Sequence, residues 1–264
     1  MLPAIGLSEV SSILAQHMVA MLRIGAFLLA SPVFGGRFVP LPVRIMASAV
    51  IALPVMISVP LPDPEVIGDL RFVPVVLTEL AIGLTAGLIL TILFGAAAVA
   101  GDRIASTAGL GFAAQFDPAS GGQTPVVATI FGLFLLSVFL GSDGHLLMLR
   151  LMLESYRLLP IGAGLAPGVI STAGIETGQM MFAAGSSIML PVGSVLLLLN
   201  IVIGILTRSA PQLNVFSFGF PITMSATMAL IFLYAPGLIA AFDDLVADAA
   251  RHVGQMLEAA SGRE

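Results

Sequence analysis

Of the 264 residues in this chain, 58% are hydrophobic and 9% are charged, whereas an ordinary soluble domain has about 25% charged residues. So few charges cannot cover the surface of a water-soluble protein of this length, and the composition therefore predicts an integral membrane protein or a member of a membrane assembly. The net charge of -5 leaves no basic face for nucleic acid, and the absence of cysteine excludes disulfides and cysteine nucleophiles.

The first two predicted elements are hydrophobic helices. Residues 11–30 have the length that crosses a bilayer core, although Arg23 lies among them. Because this charge interrupts the apolar run, we expect a retained helix and not a cleaved signal peptide. The second element begins at Pro40 and Pro42, since proline suits the first turn of a helix, and it extends over residues 43–59.

The third predicted element covers residues 73–100 and carries a carboxylate, Glu79, near its start. Gly83 and Gly87 lie one turn apart, a spacing of small residues that allows close helix packing. A long polar interruption is predicted to follow at residues 101–125.

The fourth predicted element covers residues 126–140. It is expected to continue past Asp143 as a more amphipathic helix that ends at Leu159. Residues 160–176 are rich in glycine and proline and are interpreted as a connection with room for a short helix.

The last two predicted elements are hydrophobic helices at residues 176–206, interrupted near Pro191, and at residues 222–241. A charged, less apolar stretch follows. The chain is therefore predicted to divide into a hydrophobic helical domain, 1–242, and a soluble, helical C-terminal tail, 243–264.

The break between these two helices contains two prolines and several polar groups within apolar surroundings. Pro221 is expected to keep Phe220 out of the helical region. In an extended backbone Phe216, Phe218 and Phe220 would share one face, while the polar groups need partners. We predict a packed joint at a subunit contact that does not itself bind a transported molecule; the alternative is an ordinary loop at the membrane surface. The predicted joint comprises Arg208, Pro211, Gln212, Asn214, Phe216, Phe218, Phe220 and Pro221.

No enzyme chemistry is predicted. The three histidines, His17, His145 and His252, lie in separate segments, and no His-Glu-x-x-His pair or nucleotide-binding glycine loop is present. The residues therefore indicate no catalytic group, metal site or cofactor. Two classes stay open: a small-solute secondary transporter, whose sites are built from broken helices and intramembrane charges, and a subunit of a larger pore.

Several motifs, taken in order, resemble the FliR/T-type family of the type III secretion export gate. They include residues 31–35, 39–44, 79–83, 109–118, 142–145 and 155–160, and their order and spacing carry the match. The most specific is the Ala-Pro-Gln-Leu-Asn-Val-Phe-Ser-Phe-Gly-Phe-Pro-Ile sequence at 210–222. The elements described above make up an all-α membrane-type protein with about six hydrophobic helical elements, and the resemblance implies how they are arranged. Several of these would be broken by proline or glycine and bent into helical hairpins within a multi-subunit helical assembly.

The same resemblance implies a non-enzymatic subunit of the flagellar export gate, in the basal body at the bacterial inner membrane. Its expected partners are the export-gate P and Q membrane proteins, the B-type export switch protein, membrane lipid and unfolded flagellar subunits in transit. A small-solute permease is the alternative.

Two further sets of site residues follow. The resemblance places a plug of the closed pore at Gly109, Gly111, Phe112, Phe116, Asp117 and Pro118; the alternative is a plain surface loop. Arg23 and Glu79 are expected to be buried against other charges or partner backbone, since a charge within the membrane needs compensation. The alternative is that both charges lie at helix ends and snorkel to the membrane surface. Nothing in the sequence pairs these two residues with each other.

Overall fold

The computed structural model describes residues 7–36, 39–62, 67, 69–109, 126–210 and 218–262. Across these ranges the regular structure is helical and contains no strand, which confirms the all-α prediction. A single 3-10 turn at Leu70–Phe72 precedes the third helix. The seven α-helices of the described residues are α1 Leu7–Ala30, α2 Leu41–Ser58, α3 Val73–Thr107, α4 Val126–Gly141, α5 Gly144–Leu158, α6 Val169–Ser209 and α7 Phe220–Ala260.

Five of these helices are long and apolar enough to cross a membrane: α1, α2, α3, α6 and α7. A sixth candidate span arises if α4 and α5, which are bent by 65° at a short break, are counted as one. These lengths and compositions place the protein in a membrane and match the prediction of about six hydrophobic elements.

The break between α4 and α5 differs from the predicted continuous helix. Asp143 adopts the left-handed conformation, with φ 56° and ψ 21°. This conformation cannot continue a right-handed helix, and aspartate is among the few residues other than glycine that tolerate it. The Asp143 carbonyl then accepts hydrogen bonds from the amides of Leu146 and Leu147, both at 3.0 Å, and so starts α5.

Helix α3 continues to Thr107, so the prediction that it ends near residue 100 is wrong. Asp102 and Arg103 are exposed, so their charges remain solvated without ending the helix. Gly101 is buried against the backbone of Ala128 in α4, where a larger side chain would not fit. A polar sequence at this point therefore marks an exposed helix face and not an interruption.

Helices α6 and α7 are also longer than predicted. Helix α6 begins at Val169, within the expected connection, and contains Pro191 without ending there. Helix α7 runs from Phe220 to Ala260, so the tail that begins at residue 243 is helical through residue 260 and continues α7. The division into domains at residue 242 stays a prediction.

The chain forms two compact units. The first comprises Met1–Ile92, Asp143–Thr177 and Asp248–Glu264, and the second comprises Leu93–Ser142 and Gly178–Ala247. In the described part of the first unit, fully buried side chains from α1, α3, α5 and α7 form the core: Phe27, Leu90, Tyr156 and Val253.

The core of the second unit contains packed aromatic rings. Phe242 lies edge-on to Phe131 and Phe134, with ring centroids 6.0 and 5.6 Å apart, and Phe94 lies edge-on to Phe139 at 5.3 Å. Edge-to-face pairs of this kind add specific geometry to apolar burial.

Candidate functional sites: a buried ion pair and two helix ends

The first site is an ion pair inside the first unit. Arg23 of α1 and Glu79 of α3 both have no solvent-exposed surface. The Arg23 Nε donates to Glu79 Oε2 at 2.9 Å, and Nη2 donates to Oε1 at 3.1 Å. This two-point geometry is the one that favours arginine over lysine. The structure thus joins the two charges that the sequence analysis left unpaired.

Helix α5 completes the surroundings of the Arg23 guanidinium. Nη1 donates to Ser155 Oγ at 2.9 Å, and Nη2 donates to the backbone oxygen of Leu159 at 2.8 Å. Leu159 follows the last residue of α5, where carbonyl groups lack partners within their own helix. Arg23 therefore links α1 to α3 through a carboxylate and to α5 through a hydroxyl and a helix end.

Tyr156 lies against the same guanidinium, with the Arg23 Cζ 4.2 Å from the centre of its ring. Its hydroxyl donates to the backbone oxygen of Ala20 in α1 at 2.7 Å. A cation over an aromatic face is attracted by the ring quadrupole, and the effect is larger in a desolvated site. Sequence reasoning missed the roles of Ser155 and Tyr156, which appeared only as part of a motif.

The crossing of α1 and α3 depends on two glycines. A Cβ at Gly83 would fall on the Arg23 backbone oxygen and lie 2.9 Å from the Ala26 Cβ. A Cβ at Gly87 would lie 2.7 Å from the Ala30 Cβ and 2.8 Å from the Phe27 oxygen. The structure confirms the close packing predicted from the spacing of Gly83 and Gly87.

The second site is the C-terminal end of α3, in the second unit. Gly109, the first residue of the predicted plug, has a φ of 82°, and a side chain at that position would collide with the ring of Phe220. Glycine adopts this φ without penalty. The other predicted plug residues, Gly111, Phe112, Phe116, Asp117 and Pro118, lie outside the described residues.

Two polar side chains contact the same helix end. Asn200 of α6 donates its Nδ2 proton to the Thr107 oxygen at 2.8 Å. Thr223 of α7 donates its hydroxyl to the Ala108 oxygen at 3.0 Å. Sequence reasoning singled out neither residue. The available signal was Asn200, a lone amide within an otherwise apolar run of α6, since polar groups in membrane helices need a partner.

The third site is the predicted joint between α6 and α7. Arg208 lies exposed in the last turn of α6, where a positive charge is favourable beside the helix dipole. Pro211, Gln212, Asn214 and Phe216 lie outside the described residues.

The expected extended backbone at the end of the joint is wrong. Phe218 lies in a helical turn and is 42% exposed, and Phe220 and Pro221 are the first two residues of α7. Proline fits there because the first amides of a helix need no partner within it. Phe218 and Phe220 therefore do not share one face of an extended strand.

Within the described residues, no group of three or more His, Cys, Asp or Glu side chains is arranged to hold a metal ion. His17 Nδ1 lies 2.9 Å from the sulfur of Met56, and His252 Nδ1 lies 3.0 Å from the Asp248 backbone oxygen. The His17 ring therefore contacts a side chain of α2, and the His252 ring contacts the preceding turn of its own helix.

Comparison with known proteins gives one consistent result. Residues 14–249 match the family described as bacterial export proteins, family 1. The flagellar biosynthetic protein FliR of Escherichia coli (strain K12) is 33% identical over 222 residues, which are 84% of each chain. That of Pectobacterium carotovorum subsp. carotovorum is 34% identical over 222 residues, covering 84% of this chain and 85% of the relative. That of Aquifex aeolicus (strain VF5) is 31% identical over 218 residues, covering 81% and 83%.

Proposed function

The chain belongs to family 1 of the bacterial export proteins, and we propose from this membership how it acts in the flagellar export apparatus. It is a membrane subunit of the flagellar type III export gate. It acts without catalysing a reaction and helps to form the pore through which unfolded flagellar subunits cross the inner membrane at the basal body. The observation that carries this proposal is the similarity to flagellar relatives over 84% of both chains.

The exposed surface of the chain supports a role inside an assembly. Large apolar side chains are strongly exposed on α2 and α7, among them Ile57 at 88%, Phe232 at 79% and Leu233 at 73%. Such surfaces need lipid or other subunits to cover them. We propose that the export-gate P and Q membrane proteins and the B-type switch protein provide these contacts together with lipid.

Co-purification tests the assembly. Solubilised in mild detergent, the tagged chain should be recovered with two other small membrane proteins and should be unstable when expressed alone. A monodisperse chain that is stable alone and binds a small solute would instead establish the transporter alternative, which the relatives do not support.

The segment that begins at Gly109 is proposed as the plug of the closed pore. The support is the sequence resemblance and the position of Gly109, two residues after the last residue of α3. Deletion of residues 110–118 should raise ion leak through the inner membrane while the complex still assembles, because bulky uncharged side chains such as Phe112 would no longer fill the passage. Leak is measured with a pH-sensitive dye in inverted membrane vesicles. An unchanged leak in a fully assembled complex would exclude the plug.

A further inference from the structure

The end of α3 is held by residues on both sides of the break between α6 and α7. The last carbonyl groups of an α-helix have no partner within the helix. Here the Thr107 oxygen accepts the Asn200 amide at 2.8 Å, and the Ala108 oxygen accepts the Thr223 hydroxyl at 3.0 Å. The Phe220 oxygen, in the same helix as Thr223, lies 3.0 Å from that hydroxyl as well, so the two carbonyl groups share its one proton. Ala108 is 1% exposed and Thr223 is 4% exposed, so water does not replace the second bond easily.

The next residue along the chain is fixed by α7 as well. The Phe220 ring occupies the space that a side chain at Gly109 would need. Phe220 and Thr223 both lie in the first turn of α7, which begins directly after the break. Three consecutive residues, 107 to 109, therefore contact α6 or α7, and each contact is a hydrogen bond or a ring packed against backbone.

We propose that Asn200 and Thr223 are positioning residues that couple α6 and the first turn of α7 to the end of α3, and thereby maintain the ion barrier of the gate. This inference rests on the proposed pore function. The coupling is direct, because a displacement of the first turn of α7 moves the donor of the Ala108 bond and the ring that faces Gly109. Loss of either hydrogen bond should loosen the end of α3 and raise ion leak without preventing assembly.

Thr223 offers a matched pair of variants. Thr223→Val keeps the shape of the side chain but removes the hydroxyl donor, whereas Thr223→Ser keeps the donor. Asn200→Leu removes the second donor at similar size. Thr227→Val is the control, because Thr227 is fully buried one turn further along α7 and its hydroxyl donates to the Thr223 oxygen of the same helix at 2.6 Å, with no bond to another helix in the described part of the chain.

All variants are expressed with the complete export apparatus, and three quantities are measured: the yield of intact complex, proton leak in vesicles, and hydrogen exchange of the peptide that ends at Gly109. Thr223→Val and Asn200→Leu should raise leak and exchange by about fivefold, the effect of losing one net hydrogen bond. Thr223→Ser and Thr227→Val should match the unmodified protein in both quantities.

The two proposals fail in different ways. If the strain lacking residues 110–118 leaks while Thr223→Val and Asn200→Leu do not, the coupling is overturned and the plug proposal stands. If the deletion strain does not leak while Thr223→Val does, the plug proposal is overturned and the coupling stands. Equal loss of complex in Thr223→Val and Thr227→Val would show that Thr223 only stabilises α7, and would overturn the coupling.

Discussion

At the scale of single residues, Arg23 is the best-connected polar group described in the first unit. Its guanidinium makes four hydrogen bonds, two to Glu79, one to Ser155 and one to the Leu159 oxygen. The attraction within a buried ion pair offsets the free-energy cost of its desolvation only when such additional bonds satisfy the remaining donors. Removing one member therefore lowers the stability of the protein by more than the net contribution of the pair, because the other charge stays buried without compensation.

Arg23→Ala or Glu79→Ala should destabilise the chain by about 3–5 kcal/mol and lower the yield of export complex before it alters cargo choice. Arg150→Ala is the matched control, because Arg150 pairs with Glu154 on the same helix and its side chain is 76% exposed. An exposed pair of this type contributes at most about 1 kcal/mol. The measurement is the amount of intact complex beside swimming motility. Normal yield and motility in both buried-charge variants would contradict a structural role for the pair.

The sequence supports part of this residue-scale description. The cost of a charge in an apolar helix predicts that Arg23 and Glu79 are compensated. It does not identify the compensating groups, because Ser155 and the Leu159 oxygen are 132 and 136 residues away in the chain. Asn200 and Thr223 escaped notice for the same reason, since their acceptors are backbone oxygens, which every residue carries.

At the scale of elements, hydropathy located the middle of each helix but not its ends. A run of apolar residues predicts a helix, whereas a polar residue at its margin fits either a loop or an exposed helix face. Asp102 and Arg103 are on an exposed face of α3, and Asp243 and Asp244 are exposed within α7. Only the packing of the neighbouring residues distinguishes the two cases, and that packing is not local in sequence.

The C-terminal part of α7 provides a prediction at this scale. Val253, Leu257 and Ala260 are at most 1% exposed, so this part of the tail belongs to the core of the first unit. A chain ending after Ala247 should lose this part of the core and yield little complex, since a fully buried valine or leucine side chain contributes roughly 1.5–3 kcal/mol. A chain ending after Gly262 is the control. The test is complex yield in detergent, and normal yield from the shorter chain would show that the tail is dispensable.

At the scale of the whole molecule, the amino-acid composition predicted a membrane protein, and the order of the motifs predicted its family. The exposed apolar helices explain why composition was informative, because surfaces covered by lipid or other subunits need few charges. The proposed contacts with other subunits follow from the same surfaces. The sequence predicts that such contacts exist, because it predicts the apolar surfaces. It does not predict which helix contacts which partner, because that depends on the assembled gate.

The joint between α6 and α7 is the part of the chain where this assembly is most directly testable. Arg208 is exposed at the end of α6, and Phe218 is 42% exposed immediately before α7. We propose that a neighbouring subunit covers both, and that Asn214 satisfies backbone groups there. Arg208→Ala and Asn214→Ala should each weaken assembly by about 1–3 kcal/mol, because a polar partner is left unsatisfied. Phe218→Ala should have a milder effect, since it leaves no polar group without a partner.

Arg251→Ala is the control for Arg208→Ala, because Arg251 is equally charged and pairs with Asp248 on its own helix. Complex yield and swimming are measured together for each variant. A subunit contact requires that yield falls in parallel with swimming and that Arg251→Ala behaves as the unmodified protein. Normal yield in all three joint variants with export blocked would instead place the joint in the path of the exported chain, because only a residue that meets cargo can stop transport through a gate that is fully assembled.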